Sequence, residues 1–324
     1  MATSPASLQN FGRANLHLID LDQELPGQYR FISCWVSIEP GRTYVVDPGP
    51  SSTAAHLIGE LERLGVSQLD FILLTHVHLD HAGGTALILA RWPAARVICH
   101  PRGRKHLVDP ARLWAGSQQV LGHKAEVYGE PMPVPAAALA ENSEAEASGI
   151  QVIDTPGHAP HHHSFVDGEY LFLGECAGTF STLDGGPCSS DYYLRPATPP
   201  RFHLETALAS LDRILALDPL PKRLMFAHHG HYEGDVQKML LAAREQLILW
   251  TDTVRQVRDG LATLAHSEQP ENEAALLDLM QTELRRVDPH FARGQDLPPD
   301  ICQREQDFTQ QTLRGILGYL RDAL

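Results

Sequence analysis

Thr75-His-Val-His-Leu-Asp-His81 decides how this chain is read, because it places three imidazoles and a carboxylate between His76 and His81. Alternate side chains of an extended backbone project to one side. His76, His78 and Asp80 therefore converge if the segment lies at the end of a strand, with His81 where the chain turns into the next element. The apolar run Phe71-Ile-Leu-Leu74 reads as a buried strand, and Gly83-Gly84 followed by residues 85–92 reads as a tight entry into a helix. Neutral imidazole and carboxylate are the donors that zinc, iron and manganese accept. Four of them behind a buried strand point to a metal site.

Outward from this stretch, residues 31–38 and 43–46 read as strands joined by a hairpin turn at Glu39-Pro-Gly-Arg42. Residues 52–64 read as a helix with a serine cap, and 96–100 as the next strand. This is the βαβ rhythm of an α/β protein. Residues 129–149, rich in Pro, Ala and Glu, read as an exposed loop, and 101–123 as another. Short strands follow at 150–154, 164–166 and 171–173, then a helix at 203–217. From 235 onward the pattern is helical, over 235–259, 272–287 and 307–324. The expected division is thus 1–234 as an α/β domain and 235–324 as an α-helical extension. Its apolar stripes pack on the main domain, or serve as a lid or a homodimer contact.

Composition narrows the function. Hydrophobic content of 43% and charged content of 20% are those of a globular protein. A net charge of −14 argues against nucleic acid as the main substrate, since phosphate binding needs a basic surface. No apolar stretch reaches membrane-spanning length, and Met1-Ala-Thr-Ser-Pro-Ala-Ser-Leu-Gln-Asn10 lacks the basic and apolar regions of a signal peptide. Five cysteines without a C-x-x-C pair read as free thiols. A cytoplasmic protein acting on a small molecule is the expectation, with neither nucleic acid nor membrane as partner.

The Thr-His-x-His-x-Asp-His run resembles the signature of the metallo-β-lactamase superfamily. Four more stretches resemble that family in its order: Val45-Val-Asp-Pro-Gly49, Thr155-Pro-Gly-His-Ala-Pro-His-His-His163, Tyr170-Leu-Phe-Leu-Gly-Glu-Cys176 and Leu224-Met-Phe-Ala-His-His-Gly230. The resemblance implies an αββα sandwich carrying the helical extension. It assigns His76, His78 and His158 to one metal, and Asp80, His81 and a closing histidine to a second. Glu175 bridges the two, where the family usually has Asp. His228 follows the last strand directly and is the better-placed closing ligand, with His229 the alternative. Asp47 orients a ligand imidazole or simply forms the turn before Pro48-Gly49.

Two divalent ions, zinc first and iron or manganese as alternatives, would hold a hydroxide nucleophile, with Asp80 shuttling its proton. The segment 179–195 is expected to be a substrate loop presenting Tyr192, Tyr193 and Arg195. The implied activity is hydrolysis of a thioester or lactone. The alternatives are a phosphodiesterase or nuclease of the same fold and a mononuclear-iron sulfur dioxygenase. A binding module without catalysis has no need of the complete ligand set.

Overall fold

The computed structural model of the chain describes residues 15–183, 191–228, 230–261 and 270–322. Strands β1 Leu16–Asp20, β2 Ser33–Ser37, β3 Tyr44–Val46, β4 Phe71–Leu73, β5 Arg96–Ile98 and β6 Leu139–Ala140 form one sheet in that order. The first three pair antiparallel, and β3 to β6 run parallel. Parallel neighbours need a crossover connection. Helix α1 Ala54–Arg63 supplies it between β3 and β4, and α2 Leu79–Ala82 with α3 Thr85–Arg91 supply it between β4 and β5. Four short helices follow: α4 Arg104–Val108, α5 Ala111–Leu121 and α6 His123–Tyr128, then α7 Asn142–Ala147 after β6.

The second sheet is built from β7 Gln151–Asp154, β8 His163–Asp167 and β9 Tyr170–Gly174. A separate hairpin, β10 Thr179–Thr182 with β11 Tyr192–Arg195, comes next. Helix α8 Leu204–Leu215 then leads to β12 Arg223–Phe226, parallel to β9, and β13 His231–Tyr232 closes the order β13-β12-β9-β8-β7.

Period-two alternation explains the layering. Leu18, Trp35, Val46 and Leu73 point from the first sheet into a shared core with Phe165 and Phe172 of the second. Their sequence neighbours Ile19, Cys34, Val45 and Ile72 face the helices on the outside of the first sheet. Leu171, Leu173, Leu224 and Phe226 likewise face the helices outside the second. The result is the expected αββα sandwich. Two polar ties cross its middle: Tyr44 Oη donates to Asp167 Oδ2 at 2.7 Å, and Trp35 Nε1 donates to the Phe226 carbonyl at 2.9 Å.

The chain ends in α9 Val236–Leu261, α10 Glu273–Val287, α11 Pro289–Ala292 and α12 Pro299–Asp322. Buried Met239, Leu240, Ala243, Leu247, Trp250 and Val254 make one stripe along α9. These stripes join the outer face of the second sheet in a single core, together with α8 and the β10–β11 hairpin. The helical region therefore has no separate core. Asp288 pins it internally, accepting from Gln246 Nε2 and Trp250 Nε1, both at 2.7 Å, while capping α11.

Several local expectations are corrected. No serine caps α1: Ser51 Oγ lies within hydrogen-bond reach of the Gly83 and Glu130 carbonyls, which share its one proton, and Ser52 Oγ donates to Gln23. Residues 129–149 are not a plain loop, because Ala140 and Ala145 bury against the sandwich and hold β6 and α7 in place. Residues 101–123 are largely helical. The last helix begins at Pro299 rather than 307, because Arg304 and Glu305 on its first turns are themselves buried.

That burial is an ion cluster. Glu305 Oε2 accepts from Arg195 Nε at 2.6 Å, and its Oε1 accepts from Arg304 Nε and Nη2 at 3.0 and 2.9 Å. Burial pushes the Glu305 carboxyl up, but the two guanidinium groups outweigh it and hold its pKa at about 2. Removing one partner of a buried pair leaves uncompensated charge and costs about 3–5 kcal/mol. Glu305→Gln should therefore lower stability by about that amount in a denaturant titration at pH 7. The depressed pKa stabilises the fold above the unfolded carboxyl value of about 4.3, and that part is lost as pH falls towards the folded value. The wild-type chain should thus lose stability between pH ~4.3 and ~2 through a contribution that Glu305→Gln lacks. Parallel acid-titration curves for the two proteins would contradict it.

Candidate metal centre

Strand β4 stops at Leu73, and residues 74–78 cross the end of the sandwich before α2 begins. The four donors of the central run therefore do not converge by strand alternation. His76 and His78 leave the non-strand segment, while Asp80 and His81 sit on the single turn of α2. This splits them between two donor sets. One contains His76, His78, His158 and Glu175, and the other Asp80, His81 and His228. Within each, one potential ligand atom per residue lies within 4.8 Å of the others.

Glu175 stands between the sets. Its Oε2 is 2.9 Å from His158 Nε2, 3.5 Å from His76 Nε2 and 3.6 Å from His81 Nε2. Its Oε1 is 3.7 Å from His228 Nε2. The backbone just before Glu175 is irregular. Gly174 takes φ +57°, and the β9–β12 register slips so that Phe226 pairs with Gly174 although Met225 pairs with Phe172.

Hydrogen bonds on the outer ring nitrogens set the tautomers. Asp47 Oδ2 faces His81 Nδ1 at 3.2 Å and accepts the Thr75 hydroxyl proton at 2.6 Å. With its own proton committed, Thr75 Oγ1 is left to accept from His76 Nδ1 at 3.1 Å. His158 Nδ1 donates to the Ala197 carbonyl at 3.2 Å, and His228 Nδ1 to the Phe31 carbonyl at 3.1 Å. A nitrogen that donates outward leaves the opposite lone pair facing inward, as a metal ligand requires. His78 is turned the other way, its Nδ1 3.1 Å from His158 Nε2.

Two of the inward atoms, His76 Nε2 and His81 Nε2, are buried and make no hydrogen bond. Orphaned buried nitrogens flanked by carboxylates are the arrangement that divalent transition metals fill, so the donor set fits two such ions. Asp47 is also the turn residue, at φ +52°. Its two sequence readings thus describe one side chain.

Burial and the surrounding imidazoles keep His76 well below the usual pKa, and burial brings His78 to about 3 and His228 to about 4. All three are neutral donors near neutral pH. His81 is the exception. Burial pulls it down, but Asp80, Asp47 and Glu175 outweigh that and hold its proton. To serve as a ligand His81 would have to give up this proton. His76 and His81 are fully buried, whereas His78, Asp80, His158 and Glu175 are partly exposed and mark the open side. His161 adds to that rim, its ring 5.9 Å from His78 and 6.2 Å from His106 on α4.

The expected substrate loop is the β10–β11 hairpin, and it does not present its candidates to the open side. Tyr193 and Arg195 are buried, and Arg195 is committed to Glu305. Tyr192 stacks flat on His290 at 4.8 Å. Pairing in a hairpin beneath α11 and α12 buries what the sequence suggests is exposed. His229, the alternative closing ligand, lies outside the described residues.

One further His/Asp group, His100, Asp154 and His163, was not foreseen. The Arg102 amide donates to His100 Nδ1 at 3.0 Å, so His100 Nε2 carries the proton and donates to Asp154 Oδ1 at 3.0 Å. With both ring nitrogens of His100 occupied, His100 and Asp154 form a hydrogen-bonded pair, and only His163, whose buried Nδ1 makes no hydrogen bond, is left as a nitrogen donor.

The profile described as Metallo-beta-lactamase superfamily matches residues 28–228. A metallo-beta-lactamase fold-containing protein of Sulfurisphaera tokodaii is 30% identical over 197 residues, 58% of this chain and 69% of its own. A hydroxyacylglutathione hydrolase of Albidiferax ferrireducens is 32% identical over 201 residues. That match covers 60% of each protein, so the chain spans about three-fifths of that hydrolase's length. Among solved structures, an archaeal metallo-beta-lactamase superfamily protein from Sulfolobus tokodaii aligns with TM-score 0.58 and 22% identity, over 93% of this chain and 98% of its own. A beta-lactamase domain protein from Burkholderia ambifaria aligns with TM-score 0.58 and 17% identity, over 99% of this chain and 90% of its own. Both alignments extend over nearly the whole chain.

Because Asp47 fixes His81 and, through Thr75, His76, Asp47→Asn should weaken divalent metal affinity about 10–100-fold, as loss of a ligand's hydrogen-bond partner does. Competition against a chromophoric chelator measures this. Affinity equal to wild type would show that these rings are oriented by packing alone.

Proposed function

The chain belongs to the metallo-beta-lactamase superfamily, and from that premise we propose a binuclear, metal-dependent hydrolase of a small thioester or lactone. The observation that carries this is the pair of donor sets meeting at one carboxylate, Glu175, whose two oxygens reach His158 and His228 from opposite sides. In this reading His76, His78 and His158 would hold the first ion and Asp80, His81 and His228 the second, with Glu175 placed to serve both. Zinc suits the imidazole-rich first set, and the two carboxylates of the second leave room for iron or manganese.

Ions bound in such a pair lower the pKa of water to near neutral and polarise an acyl carbonyl. The chain's own residues do the rest. Asp80 is the carboxylate on the open side. In the metal-free chain the protonated His81 beside it outweighs the effect of burial and holds it below the usual carboxylate range. A carboxylate placed there takes the proton released as the acyl carbon is attacked and returns it to the leaving thiolate or alkoxide. Glu175, also held ionised by the imidazoles around it, keeps the two donor sets at a fixed spacing. The buried, hydrogen-bonded rings of His76 and His81 need no reorganisation when substrate enters.

The relatives named as hydroxyacylglutathione hydrolases favour a thioester over a lactone. A polyanionic nucleic acid is disfavoured by the net charge of −14. The described cysteines Cys34, Cys99, Cys176 and Cys302 are all free thiols, which suits a reducing cytoplasm.

Purified protein should bind about two divalent transition metals per chain and lose hydrolysis on chelation, with zinc, manganese or iron restoring it. A panel of thioesters, lactones and phosphodiesters then identifies the substrate class. A single iron per chain with oxygen consumption in place of hydrolysis would establish the sulfur dioxygenase reading instead. Asp80→Asn retains an oxygen donor but loses the base, so turnover should fall about 10²–10⁴-fold with metal still bound. Near-normal turnover in that variant would remove Asp80 from proton transfer.

A further inference from the structure

His162 belongs to neither donor set, yet it is fully buried against the first of them, beside His76 and Glu175. The Glu175 amide donates to its Nε2 at 3.1 Å. Its Nδ1 lies 2.9 Å from Thr155 Oγ1, which is 3.0 Å from Ser164 Oγ, and Ser164 Oγ donates to the Leu173 carbonyl at 3.3 Å. The two ends of this chain fix every proton in it. A backbone N–H only donates and a carbonyl only accepts. Ser164 must therefore give its proton to Leu173 and accept from Thr155, and Thr155 must accept from His162 Nδ1–H. That leaves the Nε2 lone pair for the amide of Glu175. Both ends of the relay lie on one short stretch, Leu173 to Glu175, at the end of β9.

Two further observations show that the place is built for this ring. Gly174 stands where a Cβ would lie 2.4 Å from His162 Nε2 and 2.8 Å from Thr75 Cβ, so a side chain there would expel the imidazole. On its face, the His162 ring stacks against His76, with centroids 5.3 Å apart and 28° between planes. One ring thus backs a candidate ligand from each side of the first donor set, and it does so at the bulge in β9 before Glu175.

We propose that His162 is a positioning residue for the metal centre. By accepting the Glu175 amide and backing the His76 ring, it sets how far the Glu175 carboxylate reaches between the two donor sets. This inference rests on the metal reading above. It adds that the reach of a bridging carboxylate is fixed from behind, through its backbone, by a histidine that binds no metal.

The test compares His162→Ala and His162→Gln with wild type. A glutamine amide keeps an acceptor for the Glu175 N–H and a donor for Thr155. Zinc and manganese affinities are measured by chelator competition, and Glu175 amide exchange is followed in the metal-free protein. His162→Ala should weaken metal binding about 10–100-fold, the range for lost support of a ligand. It should also speed exchange at the Glu175 amide, and His162→Gln should recover most of both. In metal-free wild type, nitrogen-15 spectra at pH 7 should show His162 as the Nδ1–H tautomer.

Wild-type metal affinity in a folded His162→Ala overturns the proposal. So does a His162→Gln that melts like wild type when metal-free yet binds metal as weakly as His162→Ala. If His162→Ala does not fold, Thr155→Val, which keeps the ring but removes the acceptor of Nδ1–H together with the donor to Ser164, takes its place, and unchanged affinity in it counts against the relay. If wild type itself takes up no metal, the functional reading falls. Exchange at the Glu175 amide and the tautomer of His162 then still decide whether this ring holds that backbone.

Discussion

A buried carboxylate, Asp47, takes the Thr75 amide on one oxygen at 2.8 Å and the Thr75 hydroxyl and the His81 ring on the other. Two imidazoles at the centre of the site owe their orientation to it. His81 gives its outer nitrogen to Asp47 directly, and His76 gives its own to the threonine that Asp47 has already claimed. The cost is a left-handed backbone at Asp47 itself, φ +52°, a conformation that Asp tolerates better than most residues. From that anchor the run His76–His81 is held across the end of the sandwich, with its lone pairs facing the second sheet.

The second sheet answers with His158, Glu175 and His228, each placed by a different device. His158 hangs from the Ala197 carbonyl, Glu175 from a bulge and a buried imidazole, and His228 from the Phe31 carbonyl. A metal centre that straddles two sheets is only as rigid as the sandwich between them. The Tyr44–Asp167 and Trp35–Phe226 bonds, embedded in a close-packed aromatic core, resist sliding of one sheet over the other.

The C-terminal helices belong to this support. Phe31 stacks on the His228 ring at 4.1 Å and 6°, and Phe308 of α12 stacks on Phe31 at 5.5 Å. The Arg304 guanidinium lies over the same Phe31 ring at 4.3 Å while it pairs with Glu305. The wall behind the closing histidine is therefore made by the far end of the chain, fixed by a buried ion cluster. The helical region shares one core with the second sheet and shapes the site from behind.

The sequence by itself pointed to the fold family, to the alternation of strands and helices, and to the residues that the structure groups into two candidate donor sets, with His228 and His229 left as alternatives for the closing position. The His76–His81 run is legible from local spacing and side-chain chemistry, whereas His158, Glu175 and His228 are what the family resemblance implies. The sequence did not determine how the central run divides, because a donor placed by strand alternation looks the same in sequence as one placed by a single helical turn. Nor did it show that 179–195 folds back as a hairpin. Tyr193 and Arg195 are amphipathic residues whose burial depends on α12, more than a hundred positions away. His162 sat unresolved among three adjacent histidines. Only the bulge at Gly174 and the Thr155–Ser164 relay, brought together by pairing between β7, β8 and β9, distinguish it from its neighbours. Ligand identity is written in residue type, whereas orientation and reach come from hydrogen bonds between segments that meet only in the folded chain.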